Sequence, residues 1–166
     1  PCGASTRYFY DRNDRLLKEI SPYGYEPEND DGAGTTYRYD SRGNRIRVTN
    51  ALGELVQERS YNLQNLPVMQ RDGFGNSISL SYELDGQLRE VRREGRPQAG
   101  KRSLQQYEYN ARGQITGIVD GNRNQISYDV DNWGRITGIR FADDVKEGYE
   151  YTPAGQVNRA VDGNGN

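Results

Sequence analysis

Tyr107-Glu108-Tyr109-Asn110-Ala111-Arg112-Gly113 is the stretch that decides the fold. Tyrosines two residues apart share one face of an extended strand, and the charged Glu108 between them turns to the other. Asn110 can bond nearby backbone amides through its side chain and open a turn. Gly113 adopts positive φ without a steric penalty, so the segment reads as a strand running into a tight hairpin.

Outward from this copy the pattern recurs. Tyr37-Arg38-Tyr39-Asp40-Ser41-Arg42-Gly43 and Tyr149-Glu150-Tyr151-Thr152-Pro153-Ala154-Gly155 repeat it nearly intact. Tyr8, Tyr10 and Asp11, then Tyr61, then Tyr82 with Gly86, then Tyr128 with Asp131 and Gly134, mark weaker copies. The turn positions Asp14, Gly43, Asn65, Gly86, Gly113, Gly134 and Gly155 are separated by 29, 22, 21, 27, 21 and 21 residues. A fixed period of this size means one supersecondary unit stacked on its neighbours, so residues 1–166 read as a single array of about seven copies. The two long gaps place insertions at 21–36 and 92–103. The first holds Pro22, Pro27 and the run Glu28 to Asp31; the second is basic, with Pro97 and Gly100. Both read as solvated loops.

Past each turn comes an apolar residue (Leu16, Leu88, Ile115, Ile136 or Val157), and three residues on stands another (Val48, Val91, Ile118 or Ile139). A step of three conflicts with strand alternation. Either both faces of the second strand are partly covered, or a bulge resets the pleat, for which Gly117 and Gly138 are well placed. A second turn follows, as in Asp72-Gly73-Phe74-Gly75-Asn76, Asp120-Gly121-Asn122 and Asp162-Gly163-Asn164. Breakers roughly every ten residues leave no room for helices of ordinary length, about 11 residues. The expected fold is all-β, an antiparallel meander of about fourteen short strands forming a twisted, curved strip.

Composition narrows the function. Apolar residues make up 33% and net charge is -2, with 22 basic and 24 acidic residues interspersed, so no strong field draws in nucleic acid or an anionic membrane. Arginine dominates the basic set and is expected to lie flat on tyrosine rings. Cys2 is the only cysteine, and there is no histidine, which removes the commonest general base and metal ligand. Asp143 and Asp144 are adjacent and point apart on a strand. Glu28 to Asp31 and Asp129-Val130-Asp131-Asn132 lack a full calcium-loop pattern. No catalytic, cofactor-binding or metal residues are assigned. No stretch approaches the roughly 20 apolar residues of a membrane span, and any targeting signal is expected outside this chain.

The recurrent Tyr-x-Tyr-Asp-x-x-Gly-Arg/Asn/Gln-Leu/Ile resembles the YD repeat of Rhs proteins, related to repeats in Tc toxin shell components and in teneurins. The resemblance extends from Tyr8 over nearly the whole chain. It departs from the pattern at Asn65-Leu66-Pro67, where the glycine is missing, and at Val130, which replaces the second tyrosine. It implies a β-strip spiralling into a hollow cocoon that encloses a C-terminal toxin, in a bacterial protein secreted or delivered by a secretion system. The chain is then a structural shell segment, not an enzyme. Its partners would be the remaining repeats and the enclosed toxin, with edge-to-edge self-association a further possibility. Tyr8 opens a copy almost at once and Asp162 to Asn166 stop inside a turn, so the chain reads as a fragment of a larger protein. The competing reading is a secreted or wall-associated module that binds carbohydrate through its tyrosine rows. Cross-strand tyrosine packing, worth ~0.2–1 kcal/mol per pair, explains their recurrence as well.

Overall fold

In the computed structural model, which describes residues 5–28, 31–94, 102–144 and 146–164, every regular element is a strand. These are β1 (Arg7–Tyr10), β2 (Leu16–Ile20), β3 (Tyr25–Glu26), β4 (Asp31–Gly32), β5 (Thr35–Tyr39), β6 (Arg45–Thr49), β7 (Leu55–Tyr61) and β8 (Pro67–Asp72). They continue as β9 (Ser77–Tyr82), β10 (Leu88–Glu94), β11 (Arg102–Tyr109), β12 (Ile115–Asp120), β13 (Gln125–Val130), β14 (Ile136–Arg140), β15 (Lys146–Tyr151) and β16 (Val157–Val161). Fourteen strands form an antiparallel sheet in chain order, interrupted only by β3 and β4, which pair with each other. The fold is all-β, as the alternating tyrosines imply. The chain divides into two units, one of the residues up to Ser79 together with Glu94 and one of Leu80–Arg93 with the described residues from Arg102 on.

The tight turns share one construction. At Asp40, its N–H donates to Asn44 O (2.9 Å) and the Gly43 N–H donates to Asp40 O (3.1 Å), while Gly43 has φ +90°. This is a three-residue hairpin loop closed by a residue in the left-handed region. The Asp40 carboxylate accepts from the N–H groups of Arg42 and Asn44, both at 2.9 Å, and so satisfies loop amides that the ladder cannot reach. Asp11, Asn62, Asn110 and Asp131 repeat these bonds in their own loops.

A bulge settles the step of three. Tyr107 pairs with Ile118 and Tyr109 with Ile115, leaving Thr116 as the extra residue; Thr137 is extra in the same way between Ile136 and Gly138. Both apolar residues therefore face the same way as the tyrosines. Gly117 and Gly138 are not the bulged residues. They sit directly opposite Glu108 and Asp129, and a Cβ there would stand 2.4 Å from Glu108 Oε2 or 2.9 Å from Asp129 Oδ2. Glycine makes room for a carboxylate lying across the strand.

The segment 21–36 differs from expectation. It is not a free loop, because β3 and β4 fold it back on β2 and β5 already begins at Thr35. Gly24 and Gly34 approach the Ile20 side chain closely, and Ile20 becomes the one fully buried hydrophobic side chain among the described residues. The reason is steric: at Gly34 a Cβ would lie 2.3 Å from Glu19 O, so the chain packs backbone to backbone. In the second insertion, 92–94 extend β10 and Arg102 opens β11, while 95–101 lie outside the described residues. Ile20 apart, apolar side chains among the described residues are mostly half-buried or exposed.

Candidate functional site: ladders of tyrosines and loops

The repeat positions fall into two rows within each unit. In the first, the tyrosine at the second position of four copies bonds across to the preceding copy. Tyr39 Oη donates to Leu16 O (2.9 Å) and Tyr61 Oη to Arg45 O (3.2 Å); in the other unit Tyr109 Oη donates to Leu88 O (2.8 Å) and Tyr151 Oη to Ile136 O (2.6 Å). The cause lies in the ladders. β2 and β5 pair only at Lys18–Thr36 and Glu19–Thr35, so Leu16 is beyond the last rung and its carbonyl needs another donor. β14 and β15 likewise stop at Gly138–Gly148, short of Ile136. Burial pushes the Tyr109 and Tyr82 hydroxyl pKa values up, and does so at Tyr37, where Glu19 adds to it. Tyr149 donates to Glu147 (2.7 Å), and that bond raises its pKa. Tyr107 and Tyr128 stand opposite Ile118 and Ile139. Tyr8 and Tyr10, on β1 at one end of the strand order, are exposed.

The second row is made by the loops. The positive-φ positions include Asp14, Gly43, Asn65, Gly86, Gly113, Gly134 and Gly155. The residue after three of them carries a role that sequence reading missed: Arg15 Nε bonds Asp11 Oδ2 (2.6 Å), Asn44 Nδ2 bonds Asp40 Oδ2 (3.0 Å) and Arg135 Nε bonds Asp131 Oδ2 (2.7 Å). The same residues reach the next loop. Arg15 Nη1 lies 3.4 Å from Asp40 O and Arg135 Nη1 3.3 Å from Thr152 O. Gln87 and Gln114 crowd the glycines of the following copies, their Nε2 atoms 2.3 and 2.5 Å from where a Cβ of Gly113 or Gly134 would be. Only an Asx residue followed four positions later by Arg, Asn or Gln signalled this in the sequence. The same spacing at Asn50-Ala51-Leu52-Gly53-Glu54 marks a further loop of identical build.

Arginines lie over rings as expected: Arg15 over Tyr39 (5.2 Å), Arg45 over Tyr37 (5.5 Å) and Arg135 over both Trp133 (5.0 Å) and Tyr151 (4.5 Å). The carboxylates are engaged in pairs: Asp129 with Arg140 (2.7 Å), Asp31 with Lys18 (2.6 Å) and the buried Glu90 with Arg92 (2.9 Å). Among the described residues no group of three metal-ligating side chains converges, and no helix is long and apolar enough to cross a membrane.

A chain of repeating hairpins with this fold has known counterparts. Residues 34–162 match the family profile described as Teneurin YD-shell. The chain belongs to the teneurin YD-shell family. Two curated relatives, the tRNA nuclease WapA of Bacillus subtilis strain 168 and the tRNA3(Ser)-specific nuclease WapA of Bacillus spizizenii, are each 29% identical over 143 residues. Those alignments cover 84% of this YD-shell chain but 6% of each relative. Among solved structures, a TcdB2-TccC3 crystal structure superposes with a TM-score of 0.64 at 16% identity, over 95% of this chain and 9% of that one. A Photorhabdus luminescens Tc holotoxin pore gives 0.56 at 17%, over 96% and 10%. The likeness to these structures is one of fold.

Proposed function

We propose that this YD-shell chain is a length of wall in a larger shell that encloses a toxic polypeptide, and that it performs no catalysis itself. The observation that carries the reading is the inter-copy tyrosine bond, a device that joins hairpin to hairpin and leaves the tyrosine hydroxyls committed to backbone. Such a sheet extends by adding copies, which suits a container more than a reaction site. Family membership and the shared fold with Tc toxin components support it, and the match to a small part of each WapA nuclease fits a module that accompanies a toxin. On this reading its partners are neighbouring repeats and the enclosed chain, and the parent protein is secreted or delivered out of the cell. The residues that carry the role are Tyr39, Tyr61, Tyr109 and Tyr151 with the loop positions Asp40, Gly43, Asp131 and Gly134.

Limited proteolysis of the parent polypeptide, read by mass spectrometry, tests this. The enclosed segment is expected to resist cleavage, and Tyr109→Ala with Tyr151→Ala is expected to speed its cleavage at least ~10-fold by opening the wall. Equal cleavage rates with and without the shell repeats would refute the enclosure.

A further inference from the structure

Arg38 stands between Tyr37 and Tyr39, where other copies carry a carboxylate, Glu108, Asp129 or Glu150. Those acids face glycine or arginine across the strand. Glu108 lies opposite Gly117 and Asp129 opposite Gly138, while Glu150 lies opposite Arg159 and pairs with it (3.2 Å). Arg38 lies opposite Arg47 instead. Directly opposed side chains of an antiparallel pair have Cβ atoms about 5 Å apart, and like charges there destabilise the sheet. No carboxylate relieves them. Among the described residues neither guanidinium has a hydrogen-bond or ion-pair partner, although Glu58 faces Arg47 on the next strand. Arg47 is half-buried, which makes its unpaired charge costlier than one at the open surface. Beside the pair opens a groove of about 740 Å³ lined also by Ile46, Ser60 and Met69.

The make-up of this groove selects a partner. Two guanidiniums offer forked donors that match a carboxylate or a phosphate. Glu58 beside them repels a continuous phosphate chain. At the rim Arg15 already covers the Tyr39 ring (5.2 Å) and Tyr61 is tied to Arg45 O (3.2 Å), which leaves no free pair of rings for bases to stack on. Ile46 and Met69 form an apolar floor that a small inorganic anion leaves uncovered. A carboxylate next to an apolar side chain meets both demands. We propose that the Arg38–Arg47 groove binds an acidic peptide segment of a partner protein, one carboxylate lodged between the two guanidiniums and a neighbouring apolar side chain against Ile46 and Met69. Arg38, one residue from Tyr37 and from Tyr39, turns away from the tyrosine face, so the inference is independent of the shell role.

Met69 is the single methionine, so its isotope-labelled methyl resonance reads this groove alone. Titrating the 166-residue chain with an acetylated, amidated hexapeptide of alternating Glu and Leu is expected to move that resonance saturably, with a Kd below about 1 mM at low salt. Raising salt to about 0.3 M is expected to weaken the binding ~3-fold or more, and the matching Gln–Leu hexapeptide to bind at least ~10-fold more weakly. Arg38→Gln and Arg47→Gln are each expected to weaken binding ~10-fold while the melting temperature holds or rises, because the like-charge pair is gone. Arg71→Gln, on β8 outside the groove, is expected to keep affinity within ~2-fold. If one glutamine variant in the groove unfolds, the other decides. No saturable shift up to about 10 mM peptide, equal binding of the Gln–Leu peptide, equal weakening by Arg71→Gln, or tighter binding of inorganic phosphate or of a short thymidine oligonucleotide each overturns the proposal.

Discussion

The Tyr109 hydroxyl donates to the Leu88 carbonyl at 2.8 Å, two strand positions beyond the last rung of the β10–β11 ladder at Glu90–Gln106. The side chain thus does what the backbone of the diverging strands no longer can. Tyr109→Phe keeps the ring and removes only the donor, so it is expected to lower unfolding free energy by about 1 kcal/mol. Tyr109→Ala also removes the packing against Ile115 and is expected to lower it by about 2 kcal/mol or more. Urea denaturation of both variants checks the order. Equal loss in the two would mean the hydroxyl contributes everything and the ring nothing.

Much of this was legible because it is periodic. Alternation around Glu108 placed Tyr107 and Tyr109 on one face, and turn chemistry located Gly113 and even the non-glycine turn residues Asp14 (φ 58°) and Asn65 (φ 61°). The acceptor of Tyr109 was not legible, since Leu88 O is free only where two strands part, and register is a property of the paired sheet. Thr116 as the bulged residue escaped notice because Gly117 carried the stronger local signal. In the segment 21–36, Pro22 and the acidic run suggested solvent, while the deciding contacts are the close approaches of Gly34 to Glu19 and Ile20 and of Gly24 to Ala33, pairs nine to fifteen residues apart.

Loop glycines separate two effects that usually come together. Gly53 (φ +79°) and Gly113 (φ +80°) have the same conformation, but a Cβ at Gly53 meets nothing within 4 Å, whereas one at Gly113 meets Gln87 Nε2 at 2.3 Å. Gly53→Ala is expected to lose about 1 kcal/mol from the dihedral alone. Gly113→Ala is expected to lose slightly more, because the Gln87 amide, the far end of a flexible side chain, must swing aside, and Gln87→Ala in the same chain to recover that small excess. A double-mutant cycle by thermal denaturation measures that coupling; additivity would show that the loops do not press on one another. Arg123, which holds φ +71° in the loop after Asp120, gives the converse case. Arg123→Gly is expected to stabilise by about 0.5–1 kcal/mol.

Acid should loosen the loops. The pKa values of Asp40, Asp72 and Asp120 are lowered first by the side-chain amides of Asn44, Asn76 and Asn124, and that of Asp11 by the Arg15 backbone N–H. At Asp131 burial opposes the shift, and the bonds from Arg135 outweigh it. A carboxylate with a lowered folded pKa stabilises fully above the ordinary value of 3.8, and that stabilisation disappears as pH falls through the folded value, because the unfolded chain binds the proton first. Tm is therefore expected to stay level from about pH 7 to pH 5 and to drop below about pH 4. The triple variant Asp40→Asn, Asp72→Asn, Asp120→Asn keeps an oxygen cap of the kind Asn50 and Asn110 already provide, so its profile should be flatter in acid. An unchanged slope would place the acid sensitivity elsewhere.

Val130 tests whether the tyrosine bond is a rule of the array. It pairs with Ile136 where Tyr109 pairs with Ile115 and Tyr151 with Val157, so it stands at the second-tyrosine position with no hydroxyl to offer. The neighbouring β12–β13 ladder stops at Gly117–Ser127, which leaves Ile115 beyond the last rung just as Leu88 and Ile136 are in theirs. Val130→Tyr is expected to bring a donor to the Ile115 carbonyl and raise stability by about 0.5–1.5 kcal/mol, with Val130→Phe gaining less because it adds the ring alone. Urea midpoints, together with slowed hydrogen exchange at β13 amides in the tyrosine variant only, would establish the bond. If phenylalanine stabilises as much as tyrosine, the copies are joined at this position by ring packing and the hydroxyl is incidental.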